Sequence, residues 1–108
     1  MKVWVGDRLV DESAASVPVL DHGLTVGDGV FETLKVYAGR AFALTRHLER
    51  LGRSAGGLGI VPPDPTLLRA AVEEVVGANR LDGGAIRITV TSGPGPLGSL
   101  RGPGPPTV

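Results

Sequence analysis

The stretch DHGLTVGDGVFETLKVYAGR, residues 21–40, predicts the centre of the fold. From Val30 to Tyr37, three apolar residues and a glutamate alternate with a phenylalanine, a threonine, a lysine and a tyrosine. A period of two is typical of a β-strand with one buried face. Gly27 and Gly29 precede the strand and indicate backbone that turns sharply or approaches another group closely. The polar face is therefore either the wall of a ligand pocket or an ordinary solvent-facing surface.

Length and composition favour one compact domain. The chain has 108 residues, of which 42% are hydrophobic, enough for a single core. It has 11 basic and 11 acidic residues, so its charge gives no argument for nucleic acid or an anionic membrane as a partner. It has no cysteine for a disulfide or thiolate site, and no apolar run near the roughly 20 residues of a membrane span. We expect a cytoplasmic chain.

The other strands are predicted from alternation and turn residues. Gly6-Asp7 is a two-residue turn signal, and it indicates a hairpin. The predicted strands besides the central one are residues 2–5, 8–10, 41–44 and 85–92, the last being the clearest.

Two helices are predicted from apolar residues at helical spacing. The first is expected to be capped by Thr45 and to end at Gly56, Gly57 and Gly59. The second begins at Asp64-Pro65 and ends near residues 77–79. Residues 93–106 are a loop rich in glycine and proline, in which no helix can form. The expected fold is therefore α+β, a small antiparallel sheet with two helices packed on it.

Three arginines of the first helix, Arg46, Arg50 and Arg53, lie beside its apolar stripe. They either form a solvated charged face, with Glu49 pairing to Arg53, or include Arg50 as a bidentate phosphate ligand. Glu32 falls on the apolar face of the central strand, where a carboxylate is costly unless it is paired. Arg50 is one candidate partner for it.

Other familiar motifs are absent or incomplete. GPGPLG, residues 93–98, matches a dinucleotide-binding pattern, but the prolines after it exclude the helix that such a site requires. His22 and His47 have no carboxylates at metal-ligand spacing, so we expect no metal site, and His47 is expected to pack or cap within its helix. There is no G-x-S-x-G elbow for a serine nucleophile.

Three segments together resemble a known family. They are DHGLTVGDGVFET (residues 21–33), FALTRHLERLGRSA (42–55) and RITVTSGPGPLGSLRG (87–102). They are similar to the N-terminal domain of the fold-type IV pyridoxal-phosphate enzymes, which include branched-chain and D-amino-acid aminotransferases and aminodeoxychorismate lyases. The resemblance implies a homodimeric enzyme that acts on an amino-acid-like substrate with pyridoxal 5'-phosphate.

The resemblance also implies roles for individual residues. Arg50 matches the arginine that binds the cofactor phosphate. Phe31, Thr33 and Lys35 match positions on the substrate side of the cofactor. Arg101 matches an arginine that, in some members, holds the substrate carboxylate from a mobile loop.

Two departures from the family pattern affect the substrate prediction. Val26 stands where many members have tyrosine, and Thr91-Ser92-Gly93 stands where many have T-R-G.

The family's cofactor-binding lysine lies in a second, C-terminal domain that this chain does not include. We therefore expect residues 1–108 to be one N-terminal small domain, with no catalytic residue of its own and no activity in isolation. For the whole protein we expect transamination. Release of 4-aminobenzoate and pyruvate from aminodeoxychorismate is the first alternative, and a non-catalytic binding module is the second.

Overall fold

Strand β3, Gly29–Tyr37, is the centre of the three-stranded antiparallel sheet in a computed structural model that describes all 108 residues. Strand β5, Gly83–Thr91, pairs with β3 along its whole length. Strand β4, Arg40–Ala41, pairs only with Val36 and Tyr37. The strand predicted at residues 41–44 is therefore wrong in its bounds, because the chain leaves the sheet after Ala41.

The predicted amino-terminal hairpin is confirmed as a separate two-stranded sheet. Strand β1, Lys2–Val5, pairs with β2, Arg8–Asp11, and Gly6 at the turn has a φ of +69°. A positive φ is strained for most residues but not for glycine, which explains the residue at this position. A single 3₁₀ turn, Glu12–Ala14, follows β2.

The two predicted helices are confirmed, with one correction to their caps. Helix α2 is Leu44–Gly57 and α3 is Pro65–Ala78. Asp64 caps α3, because its side chain accepts a hydrogen bond of 2.8 Å from the amide of Thr66. Thr45 does not cap α2. The helix starts one residue earlier, after Ala43, and the Thr45 hydroxyl accepts instead from Arg69 at 2.7 Å.

A short helix, α1 (His22–Thr25), was not predicted from the sequence. The side chain of Asp21 accepts from the amide of Gly23 at 2.8 Å and so caps this single turn. None of the helices is long and apolar enough to span a membrane.

The hydrophobic core lies between the three-stranded sheet and helices α2 and α3, as the α+β expectation requires. The alternation in β3 is confirmed, since Leu34 and Val36 are buried while Thr33 and Lys35 are exposed. The core members are Leu34, Val36, Leu48, Leu51, Ala55, Ile60, Leu68, Val72, Val76, Ile86, Ile88 and Val90.

The segment after β5 folds back over the domain. Gly93 has a φ of +87°, and a Cβ atom there would collide with the carbonyl oxygen of Pro105. The Gly93 carbonyl accepts from the amide of His22 at 2.9 Å, and Gly95 donates to Leu20 at 3.1 Å. These contacts join the tail to α1 and to the chain that precedes it.

Replacing a core leucine tests this packing. Leu51 is 1% exposed, so Leu51→Ala removes buried methyl groups and should lower the free energy of unfolding by about 2–5 kcal/mol. Leu100 is 78% exposed, so the matched change Leu100→Ala should alter it by no more than about 0.5 kcal/mol. Urea denaturation followed by circular dichroism measures both, and equal losses would contradict the described core.

Candidate functional site

The open face of β3 carries the side chains that were predicted to line a pocket. Phe31, Thr33 and Lys35 are all exposed, and Phe31 keeps 54% of its surface accessible. The guanidinium of Arg87, on β5, lies 3.9 Å from the centre of the Phe31 ring, a cation–π contact. The face therefore combines an aromatic ring, a hydroxyl and two cationic groups on adjacent strands.

Glu32 lies on the opposite face of β3 and is 6% exposed. Arg50, on α2, donates from Nε to both carboxylate oxygens, at 2.9 and 3.0 Å, and its Nη2 lies 2.8 Å from Oε1. His47, one turn earlier on α2, places Nδ1 2.7 Å from the same Oε1. The candidate pairing of Glu32 with Arg50 is thus confirmed, and His47 is a second partner rather than a helix cap.

The pKa of Glu32 is lowered by these contacts. The hydrogen bond from Arg50 is the largest cause, and the hydrogen bond from His47 adds to it, while burial of the carboxylate acts in the opposite direction. A carboxylate that stays ionised holds Arg50 through charge-assisted hydrogen bonds, which are shorter and stronger than neutral ones.

One edge of the Arg50 guanidinium is occupied by Glu32, and the rest remains available. Its side chain is 59% exposed, and its Nη1 donates to no group of this chain. Arg46 and Arg53 make no ion pair, and the pair predicted between Glu49 and Arg53 does not form. Arg50 is thus the one arginine of α2 whose direction is fixed by a buried partner.

Arg50 and the open face lie on opposite sides of β3 but share an edge of it. Because β4 pairs only with Val36 and Tyr37, the first half of β3 has no neighbouring strand on that side. The carbonyl of Lys35 accepts from Phe42 across this edge at 2.7 Å. Along an antiparallel strand, the N–H and C=O groups of every second residue point to the same edge, so those of Phe31 and Thr33 point to the same edge as those of Lys35. We define the candidate site as this open edge, with Arg50 on one side and the exposed face on the other.

Arg101 comes back to the turn before β3 and is held there. Its Nε and Nη2 donate to the two carboxylate oxygens of Asp28 at 2.8 and 2.9 Å. Nη2 and Nη1 also donate to the carbonyls of Leu58 and Gly59, at 2.6 and 3.1 Å. Hydrogen bonding from Arg101 is the main cause that lowers the pKa of Asp28 to about 2. The contact of Arg101 with a substrate carboxylate stays a prediction. It would require Arg101 to break its ion pair with Asp28 or to bind both carboxylates at once.

A buried polar cluster beside this turn was not predicted from the sequence. His22 is fully buried, and its Nε2 donates to the carbonyl of Pro96 at 2.8 Å. Asp21 is 2% exposed and accepts from the hydroxyl of Thr107 at 2.6 Å. The sequence offered one signal for this cluster: an aspartate two residues before Gly23, a spacing typical of a side chain that caps a turn. The tail residues that bond to His22 and Asp21 are more than 70 residues away and leave no local pattern in the sequence.

The side chains of the candidate site are open to solvent, since Arg50 is 59% and Phe31 54% exposed. Three cavities of the domain lie between β1, α3 and β5, between β4 and α3, and between α2 and α3. None of them is lined by Arg50, Phe31 or Thr33.

Comparison with known proteins gives a consistent family. The family model described as amino-transferase class IV matches residues 29–108. A putative branched-chain-amino-acid aminotransferase of Methanocaldococcus jannaschii is 42% identical over 110 residues, covering 100% of this chain and 38% of the relative.

Two solved structures have the same fold as this chain. A hypothetical aminotransferase from Mycobacterium tuberculosis, in a PLP-bound form, is 31% identical, with a TM-score of 0.80 over 95% of this chain and 36% of that one. A 4-amino-4-deoxychorismate lyase from Pseudomonas aeruginosa is 38% identical, with a TM-score of 0.72 over 96% of this chain and 36% of that one. The chain spans well under half the length of each of these proteins.

The Glu32–Arg50 pair can be tested by removing its cation. Arg50→Met leaves the buried carboxylate with His47 alone, so the pKa of Glu32 should rise and the free energy of unfolding at pH 7 should fall by about 1–3 kcal/mol. Because the pKa of Glu32 is lowered on folding, its contribution is present above 4.5, its ordinary value, and is lost as the pH falls through the folded value. Urea denaturation at several pH values measures this dependence.

Arg53→Met is the matched control for that experiment, since Arg53 lies one turn later on the same helix without an ionic partner. It should change the free energy of unfolding by no more than about 0.5 kcal/mol at any pH. Identical pH profiles for the two variants would contradict the described pair.

The Asp28–Arg101 pair makes a separate prediction. In Arg101→Met the pKa of Asp28 should rise from about 2 toward its ordinary value of 3.8. Since this pKa is also lowered on folding, the stabilisation is complete above 3.8 and is lost as the pH falls toward 2. Carboxyl carbon chemical shifts followed by NMR during acid titration report this pKa. Arg46→Met should leave it unchanged, and an unchanged value in Arg101→Met would show that the ion pair does not form.

Proposed function

The chain belongs to the class IV aminotransferase family, and on that premise we propose that it forms the amino-terminal part of an aminotransferase. The reaction would move an amino group between an amino acid and a keto acid, with pyridoxal 5'-phosphate as cofactor. The observation that carries the proposal is the Arg50 guanidinium, held on buried Glu32 at 2.9 Å and free at Nη1, beside an exposed face of mixed polarity.

The guanidinium of Arg50 suits the cofactor's phosphate in its chemistry, which supports the proposal. A guanidinium presents a planar fork of donors that matches phosphate, and here one edge of the fork is already fixed by a carboxylate. A fixed donor loses less conformational entropy when an anion binds. Bound pyridoxal phosphate would supply the electron sink that carbanion chemistry at an amino acid requires. The Mycobacterium tuberculosis structure is a PLP-bound form, which supports this choice of cofactor.

Phe31, Thr33 and Lys35 would form the substrate side of the site. The Phe31 ring offers apolar surface, the Thr33 hydroxyl can donate or accept a hydrogen bond, and the Lys35 ammonium can attract a carboxylate. Arg101 would bind the substrate only after its ion pair with Asp28 is replaced by one with the substrate's carboxylate, which is the same chemical group.

The covalent step requires an amine that holds the cofactor, and this chain offers no suitable one. Lys2 is in the hairpin and pairs with Asp11 at 2.9 Å, and Lys35 is on the proposed substrate face. We propose that the amine belongs to a second domain outside residues 1–108, that this domain closes the site, and that the isolated chain is inactive. The homodimer implied by the resemblance and the cytoplasmic location expected from the composition are part of the same proposal.

A lyase is the nearest alternative, supported by 38% identity to the Pseudomonas aeruginosa enzyme over 96% of the chain. The departures from the family pattern at Val26 and at Thr91-Ser92-Gly93 bear on the substrate prediction for both enzymes. A non-catalytic binding module, using the same exposed face for a partner, is the alternative from another class.

These functions can be distinguished in a longer protein that carries this domain. An aminotransferase should consume an amino acid only when a keto acid is present, whereas the lyase should release 4-aminobenzoate and pyruvate without one. A module should do neither. We expect keto-acid-dependent transfer, and its absence together with 4-aminobenzoate release would replace the proposal with the lyase.

The role of Arg50 can be measured independently of the substrate. Arg50→Met in that longer protein should weaken binding of pyridoxal phosphate by about tenfold or more, since it removes a charge-assisted hydrogen bond. Absorbance titration of the apoprotein gives the affinity, and Arg53→Met should bind as the parent does. Equal affinities for both variants would remove Arg50 from the phosphate site.

A further inference from the structure

Two aspartates of the chain are followed directly by glycine, Asp28 by Gly29 and Asp82 by Gly83. In such a pair the glycine amide nitrogen can attack the side-chain carboxyl of the aspartate before it. The two groups are close along the chain, and glycine has no side chain to hinder the approach. Whether the attack occurs in a folded protein depends on what holds the carboxyl and the amide, and the two pairs differ in both.

Asp82 lies in the connection between α3 and β5, and nothing holds its side chain. The residue is exposed, and its carboxylate is in none of the ion pairs of the domain. The backbone after it also has space to turn. A Cβ atom on Gly83 would meet its nearest neighbour at 3.9 Å, and one on Gly84 would meet none within 4 Å.

The amide of Gly83, which would be the nucleophile, is not held in the sheet. On the same strand, Thr91 donates its amide away from β3, to the carbonyl of Thr107 at 2.9 Å. Amides of every second residue of an antiparallel strand point to the same edge, so the amide of Gly83 also points away from β3. The three-stranded sheet ends with β5, and no strand of the chain pairs with Gly83 on that side.

The Asp28–Gly29 pair is held at each of these points. Arg101 donates to both carboxylate oxygens of Asp28 and is the main cause that its pKa is about 2, so the protonated carboxyl that reacts is rare at neutral pH. The amide of Gly29 donates to the carbonyl of Gly27 at 3.0 Å. A Cβ atom on Gly29 would lie 2.8 Å from the carbonyl oxygen of Val90, so the backbone is packed against β5.

We propose that Asp82 is a site of spontaneous isomerisation to isoaspartate, and that the fold protects Asp28 from the same reaction. The Gly83 nitrogen forms a bond to Cγ of Asp82, and the carboxyl hydroxyl leaves with the amide proton as water, which gives a cyclic succinimide. Water then opens the ring. Opening at Cγ restores aspartate, and opening at the main-chain carbonyl gives isoaspartate, in which the chain continues through the side-chain carboxyl. The mass is unchanged, and water is the only reagent.

The modification changes the point at which β5 enters the sheet. Isoaspartate lengthens the backbone by a methylene group between Asp82 and Gly83. The main-chain carbonyl of Asp82 accepts a hydrogen bond of 3.1 Å from the amide of Gly39, in the turn between β3 and β4. In isoaspartate this carbonyl becomes part of a free carboxylate. The contact that joins the turn to the start of β5 is therefore altered.

Incubation of the folded chain at neutral pH in water enriched in oxygen-18 tests the proposal, because each opening of the succinimide incorporates one oxygen from the solvent. Digestion with trypsin in ordinary water then releases residues 81–87, in which Asp82 is the only acidic residue. Mass spectrometry should find about tenfold or more label at Asp82 than at Asp28, where an ion pair and a hydrogen bond must open first. The peptide should also co-elute in part with a synthetic isoaspartyl standard.

Two controls separate the effect of the fold from that of the sequence. In guanidinium chloride that unfolds the chain, Asp28 and Asp82 should be labelled at similar rates, since both precede glycine. Asp82→Glu keeps the exposed carboxylate but requires a larger ring, so its peptide should stay unlabelled.

Three results would overturn the proposal. The first is a folded chain without label at Asp82, or with equal label at Asp82 and Asp28. The second is a labelled peptide that contains aspartate alone and no isoaspartate. The third is undiminished label in Asp82→Glu, which would show that the oxygen enters by another route.

Discussion

The buried carboxylate of Glu32 is the constraint on which the rest of this structure depends. It lies on the core face of a central strand, where an ionised group is tolerated only if it is paired and hydrogen-bonded. Both partners, Arg50 and His47, come from α2, one turn apart. The carboxylate therefore sets where α2 lies along β3, and it fixes one guanidinium at the strand's open edge. Structure and proposed function share this pair, since the group that neutralises Glu32 is also the one proposed to bind an anion.

The segment before β3 is joined to the tail by polar contacts. Asp28 holds Arg101, Asp21 holds Thr107, and His22 holds the Pro96 carbonyl. The tail leucines Leu97 and Leu100 are exposed and only Val108 packs against the core, so polar contacts hold most of this segment. Buried polar groups must be hydrogen-bonded in any case. The residues just before β3 therefore fix the position of the segment after β5 as well as the start of the central strand. The cost is that Arg101 is committed to Asp28 in this state.

What could be predicted from the sequence was local in origin. The alternation of β3 needs only a period of two, and the Asp64 cap needs only its own amide neighbours. The prediction that Thr45 caps α2 was wrong, because Arg69, 24 residues away, donates a hydrogen bond to the Thr45 hydroxyl. The ion pair of Asp28 with Arg101 joins residues 73 apart, and no local pattern indicates it. Glu32 was the exception, since a carboxylate on an apolar face requires a partner wherever that partner lies in the sequence.

The two open edges of the three-stranded sheet differ in a way that separates their roles. The free edge of β5 borders hydrophobic surface, and a strand there would gain both backbone hydrogen bonds and apolar burial. The free edge of β3 borders the charged pair of Glu32 and Arg50, and charge beside an edge opposes pairing with another strand. A strand added at β3 would also cover Arg50, whose guanidinium is solvated on its outer side, and would have to compensate for its lost hydration. The edge at β3 therefore opposes a further strand, and the Arg50 side chain beside it stays exposed to solvent.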